Sequence, residues 1–212
     1  MEDARTYLKE TAPAVEGLFK LLNQYGWQKM GALVTLLNSK TRGALEVNKQ
    51  TFSSNDIARE VIAGSILQIA YVAIASHAKF GGKSEKTLHF ESEINRLTSE
   101  NLKRARKKDK FELPMTFCVG RHIGHLPLGI IVFAGRNQYN HFYEKKRLSV
   151  INELVFNHLH IMWPDPGNGL SFDLKPGKLF SYSILAALGW LDTSDDRGYE
   201  AYKRDISDIL QI

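Results

Sequence analysis

The stretch EKKRLSVINELVFNHLHIM, residues 144–162, places Leu148, Ile151, Leu154, Val155, Leu159 and Met162 at intervals of three and four. That spacing puts one apolar stripe, with His158 in it, on one face of an amphipathic helix. The same period recurs along the chain. Val15, Leu18, Phe19 and Leu22 share a face over residues 12–25, ending near Gly26, and Met30, Leu33, Val34 and Leu37 share one over 27–49. Ser54-Asn55-Asp56 reads as a helix start before Ile57, with Val61, Ser65, Gln68, Tyr71 and Val72 following, and Gly81-Gly82 as its end. Further helices are predicted over 87–108 with a mostly polar surface, over 178–191 and over 196–210. Alternation that would suit a strand is confined to Met115–Val119 and Gly169–Leu174, and Pro164 to Gly169 is a loop. The expected fold class is therefore all-α, a helical bundle.

At 212 residues and 43% hydrophobic, the chain is long enough to bury a sizeable core. It reads as a single domain over 1–212. Within it are a central part near 110–165, a helical N-terminal part over 1–109 and a C-terminal helical extension over 166–212. A boundary near 110–114 is expected to leave helices from both sides sharing one core. The single cysteine, Cys118, excludes an internal disulfide and any multi-cysteine zinc site, and fits a reducing cytoplasm. His122 and His125 lack the neighbouring carboxylates or thiols of a zinc site, so no metal or other cofactor is expected. The charged start of the chain does not read as a signal peptide. The longest apolar run, Val61 to Ser76, is interrupted by Gln68 and is too short for a membrane span, so a cytoplasmic protein without a membrane partner is expected.

The net charge of +5 favours an anionic partner. Much of it is local, since Lys103 to Lys110 holds six cations in eight positions. A second cluster, Lys145-Lys146-Arg147, begins four residues after His141. Either is a solvated run of charge or a track for a phosphate backbone. Between the clusters lies Gly135-Arg136-Asn137-Gln138-Tyr139-Asn140-His141, directly after the apolar Ile130-Ile131-Val132-Phe133. An arginine, an amide and a histidine within six positions supply a phosphate clamp, a positioning group and a proton shuttle.

With its apolar lead-in Pro127 to Ala134 and its tail Leu148 to Asn152, this segment resembles the Arg-polar-x3-His signature of HEPN domains. Those are helical bundles often found in RNases of toxin–antitoxin and phage-defence systems. The resemblance covers roughly residues 110–165 and implies a metal-independent endoribonuclease acting on host or phage RNA. It also implies a homodimer in which two copies of the motif form one composite site, and an antitoxin or nucleotidyltransferase as a further partner. In such a reaction the ribose 2′-OH attacks the adjacent phosphorus, leaving a 2′,3′-cyclic phosphate and a free 5′-OH. Arg136 would hold the non-bridging oxygens, His141 would move the proton, and Asn137 would orient either. Tyr139 would stack on a base, with Asn140 beside it. Arg121, in the cluster Arg121-His122-Ile123-Gly124-His125, would add a phosphate contact.

Geometry leaves two arrangements open. Asn137 and His141 are i and i+4 and share a face, whereas Arg136 and His141 lie about 140° apart on a regular helix. Either Arg136 reaches around with its long side chain, or Gly135 marks a helix start whose free N–H groups would also attract a phosphate. Structural readings compete. His141 lies seven residues before Leu148 and would sit on the inward stripe as a hydrogen-bonded core histidine or at a dimer seam. Arg136 would then cap a neighbouring carbonyl or pair with Glu144. A HEPN-like module that binds RNA, nucleotide or protein without cleavage is the alternative function. If the track beyond the motif carries RNA, replacing Lys145, Lys146 and Arg147 together weakens RNA binding and flattens its salt dependence. Unchanged affinity across a salt series would remove these residues from the substrate path.

Overall fold

Asp3 starts the first helix: its carboxylate accepts from the Thr6 backbone N–H at 2.8 Å, a bond that holds its pKa below the ordinary 3.8. The helix, α1, then runs unbroken over Ala4–Leu37, about 51 Å by its 34 residues. This computed structural model describes residues 3–39, 41–79, 114–144, 149–163, 172, 178–191 and 197–212, with isolated positions at 85, 88, 89 and 92. Thr41 caps a second long helix, α2, over Arg42–His77, its hydroxyl accepting from Ala44 N–H at 3.3 Å. A 3-10 turn, Met115–Phe117, and a short β-hairpin follow, and a second 3-10 turn, Phe142–Glu144, comes later in the chain. In the hairpin β1 (His122–Ile123) pairs antiparallel with β2 (Leu126–Pro127), and Gly124 turns the chain with φ of +60°. Then come α3 (Leu128–His141), α4 (Val150–Met162), α5 (Ser181–Ala187) and α6 (Arg197–Leu210). The protein is an all-α bundle of six helices among the described residues, with little strand.

Four sequence expectations change in detail. Gly26 does not end a helix, and Ser54-Asn55-Asp56 does not begin one; both lie inside long helices. A mid-helix glycine costs only about 1 kcal/mol. Pro13, also inside α1, costs about 3 kcal/mol. Packing of α1 along α2 outweighs both, with Val15, Phe19 and Leu22 buried. Asn55 is buried, and Asp56 bonds Lys29 of α1 at 2.5 Å, so that polar triplet serves the helix pair instead of a cap. Met115–Val119 forms no strand; its first three residues make the 3-10 turn. The fourth change concerns the apolar run from Val61, which belongs to a helix of 36 residues. Arg42–His77 is long and apolar enough to cross a membrane by length and composition alone. In the structure its Ile62, Ile66, Leu67, Ala70, Ala73 and Ile74 are buried in the protein core. The predicted helix over 87–108, apart from its isolated described positions, the cationic run 103–110 and the loop 164–169 lie outside the described residues.

α2 is the central strut. It packs against α1, α3, α5 and α6, and one continuous core joins residues from Val15 through Leu210, including both sides of the expected boundary. Of the stripe read from residues 144–162, Ile151, Leu154, Val155 and Leu159 are buried, Met162 at the helix end is exposed, and Leu148 lies outside the described residues.

The start of α5 is stabilised from α2. Phe180, its N-cap, supplies no side-chain bond, and the Glu60 carboxylate instead accepts from the Tyr182 N–H at 3.1 Å. Burial raises the pKa of Glu60 above its ordinary 4.5, and the Asp56 charge adds to the push. Hydrogen bonds from Tyr182 and Ser181 and the charge of Arg59 only partly oppose it. Below pH 4.5 Glu60 is protonated in both the folded and the unfolded chain and does not bias folding. As pH rises past that value the unfolded chain ionises first, so stability falls through the raised folded pKa. Glu60→Gln keeps an oxygen for Tyr182 N–H and removes the charge. The variant is expected to melt close to wild type in acid and increasingly above it toward neutral pH. A difference in melting temperature that does not change with pH would show that Glu60 is not buried in this way.

Candidate functional site

The candidate motif sits where α3 crosses α2, and small residues let the two helices meet closely. A Cβ added at Gly64 would lie 2.3 Å from the Tyr139 ring. One added at Gly135 would lie 2.8 Å from Ile184 and 3.1 Å from Leu67. Contacts move down α3 as they move up α2: Gly64 meets Tyr139, Gln68 meets Arg136 and Tyr71 meets Phe133. The helices therefore run antiparallel.

At this crossing Arg136 is half-buried and held on several sides. Its guanidinium carbon lies 4.6 Å from the centre of the Tyr71 ring, and Tyr71 in turn stacks on Phe117 at 4.7 Å. Arg136 Nε donates to Gln68 Oε1 at 3.1 Å, and Nη1 donates to Asn137 Oδ1 at 3.2 Å. With the Asn140 amide oriented so that oxygen meets nitrogen, its carbonyl lies 2.9 Å from Arg136 Nε and 3.1 Å from Nη2. Gln68 and Tyr71 are i and i+3 on α2, and Arg136 and Asn140 are i and i+4 on α3, so each helix presents its pair on one face. Among the described residues, the acceptors around the guanidinium are neutral amides. Among the described residues no carboxylate pairs with Arg136.

Arg121 is the opposite case. Its Nε and Nη2 each donate to Asp205 at 2.9 Å as a two-pronged fork, and Nη2 also meets the Leu188 carbonyl. The Asp205 side chain is only 3% exposed and also accepts from Trp190 Nε1 at 2.8 Å. Arg121 thus pins the β-hairpin to the C-terminal helices, and the phosphate contact expected of it from sequence gives way to this structural one.

The other motif residues divide by face. Gln138 is buried and bridges to the 178–180 segment, its amide donating to the Lys178 carbonyl and accepting from Phe180 N–H at 3.4 Å. Tyr139 packs its ring on Gly64, which ties up the side chain expected to stack on a base. Tyr143, which the sequence reading passed over, is 67% exposed and stands edge-on to Phe142. Only its place two residues after His141 signalled it.

His141 is the last residue of α3 and is exposed. α3 ends at His141 and a 3-10 turn, Phe142–Glu144, follows it directly, so the expected inward position of the ring on a continuing helix does not hold. Nor is Gly135 a helix start. α3 begins at Leu128, so no free N–H groups are presented at Gly135. Of the two arrangements the sequence left open, this one goes. Arg136 and His141 lie about 140° apart around one helix, and the guanidinium reaches toward the histidine's side only as far as Asn137. Lys145, Lys146 and Arg147 lie outside the described residues.

Compared with known proteins, the chain matches no family model, no curated sequence and no solved structure.

The two arginines should respond differently to loss of charge. Arg121→Gln leaves a buried carboxylate without its counter-charge and should cost about 2–3 kcal/mol, less than for a fully buried pair because Arg121 is itself partly exposed. Arg136→Gln removes no ion pair and should cost about 1 kcal/mol or less. Urea denaturation of both variants checks the order, and equal losses would show that Arg136 is as structural as Arg121.

Proposed function

We propose that the protein is a HEPN-like, metal-independent endoribonuclease that acts as a homodimer. The carrying observation is the Arg136 guanidinium, half-buried among neutral amides and paired with no carboxylate among the described residues. A cation taken out of water without a counter-charge is costly, and an anion bound from outside removes that cost. RNA phosphate is the anion that suits it. A guanidinium can grip two non-bridging oxygens at once, and its cage holds it ready without competing charge.

In this reading Arg136 holds the scissile phosphate and stabilises the negative charge that grows on it. The 2′-oxygen forms its bond to phosphorus as it loses a proton, and the bond from phosphorus to the 5′-oxygen breaks as that oxygen gains one. The products are a 2′,3′-cyclic phosphate and a free 5′-OH. Exposed at the end of α3, His141 performs one proton transfer. The other needs a second group. The divergence of Arg136 and His141 around α3 supports a site completed by another copy, so that the histidine of one chain serves a phosphate held by the next. Tyr143 takes over from Tyr139 as the exposed ring for a base. Asn137 and Asn140 position Arg136. The same divergence also favours a second reading, in which Arg136 binds RNA or a nucleotide and nothing is cleaved. A toxin or phage-defence role is what the family resemblance adds to either.

Labelled single-stranded RNA and total tRNA incubated in EDTA separate the two. Cleavage to cyclic-phosphate ends by wild type is expected, falling at least about 100-fold in His141→Ala. Since His141 is exposed, that variant should keep its stability to within about 0.5 kcal/mol. RNA bound by wild type but left intact would favour the binding module, and no binding would remove RNA altogether.

A further inference from the structure

A second feature lies elsewhere on α2. Residues of α1, α2 and α5 frame a groove of about 410 Å³, inside the range of roughly 300–1,000 Å³ typical of small-molecule sites. Leu22, Trp27, Met30, Leu33, Phe52 and Tyr182 give it apolar walls. Trp27 is 70% exposed, an aromatic wall with one side open. Two cations also line it. Lys29 lies 4.5 Å over the Phe52 ring, and Arg59 lies 3.6 Å over the Tyr182 ring.

These cations share one counter-charge. Lys29 Nζ is 2.5 Å from Asp56 Oδ1, and Arg59 Nη1 is 3.5 Å from the same oxygen. The Glu60 carboxylate, which accepts from Tyr182 N–H at the start of α5, also lies close enough to feel the Arg59 charge. The Arg59 side chain is only 11% exposed, and its buried Nε–H has no acceptor. An unmet donor of this kind costs about 1–3 kcal/mol, and more when it is charged. Arg59 lines the groove, so an anion bound there would lie beside this unmet donor.

We infer that this groove binds a small organic anion, an apolar body ending in a single carboxylate. The carboxylate meets Arg59 and Lys29, and the apolar body lies against Trp27, Met30 and Leu33. Besides the cations, Asn23 is the one amide side chain on the lining. With only the Tyr182 hydroxyl and the Trp27 N–H as further neutral polar groups, a nucleotide would leave most base and sugar edges unpaired against leucine and methionine. The site is separate from Arg136, Arg59 standing nine residues, about 13 Å, from Gln68 along α2.

Gly26 supplies a clean test, because it lines the groove and a Cβ there meets nothing within 4 Å. Gly26→Met fills the space and favours the helix, so the variant is expected to fold. Sodium decanoate, kept below the concentration at which it forms micelles, is titrated calorimetrically into the whole chain, and 1-decanol serves as its neutral counterpart. Circular dichroism checks the fold of each variant. Wild type should bind decanoate saturably, and Gly26→Met, Arg59→Gln and the exchange to decanol should each weaken binding by about tenfold or more. No binding by wild type, equal binding by folded Gly26→Met, or decanol binding as well as decanoate would each overturn the assignment.

Discussion

The close approach of α2 and α3 is the constraint on which the rest of the structure depends. It requires residues without side chains at the crossing, Gly64 under the Tyr139 ring and Gly135 against Leu67 and Ile184. A larger residue at either point would force the helices apart or the neighbouring side chains out of place. Closeness in turn fixes what the polar side chains can do. Gln68 and Tyr71 meet Arg136 because α3 lies within hydrogen-bonding and ring-stacking distance of α2. One packing decision in the core thus sets the geometry of the candidate site.

Electrostatics then separate two arginines that look alike in the chain. Arg121 faces a buried carboxylate and forms a closed, bidentate pair with it, which fastens the hairpin to α6. Arg136 is surrounded by amides and an aromatic face, which orient it without cancelling its charge. The first arrangement suits a strut and the second suits an anion site. Arg59 lies between them in character, sharing one carboxylate with Lys29 and keeping one buried donor unmet. α2 passes both Arg59 and the Arg136 cage, so a single helix supports two places where an anion would be favoured.

The all-α class and some inward faces were legible in the sequence, because the period of three and four is a local signal, but Met30, Val34 and Leu37 share a predicted face and are exposed. Ile151, Leu154, Val155 and Leu159 are buried as their spacing requires. Helix ends were less legible. Gly26, Ser54-Asn55-Asp56 and Gly135 carry local signals worth about 1 kcal/mol each, and burial along long helices overrides them. The motif itself could be found by eye, but the fate of its members depended on distant residues. Nothing near Arg121 announces Asp205, 84 residues further on. Tyr139 could not be assigned to packing without Gly64. The groove was illegible for the same reason, since Trp27, Phe52 and Tyr182 come from three separate segments.

The central claim is that Arg136 carries a charge the fold leaves for an external anion, whereas Arg121 does not. Nitrogen-15 NMR of the two arginine Nε–H groups during titration with a short single-stranded RNA tests it most directly. The account predicts that the Arg136 Nε–H signal shifts saturably with RNA and that the Arg121 signal stays in place. A shift confined to Arg121, or an Arg136 signal that stays fixed while RNA binds, would contradict it.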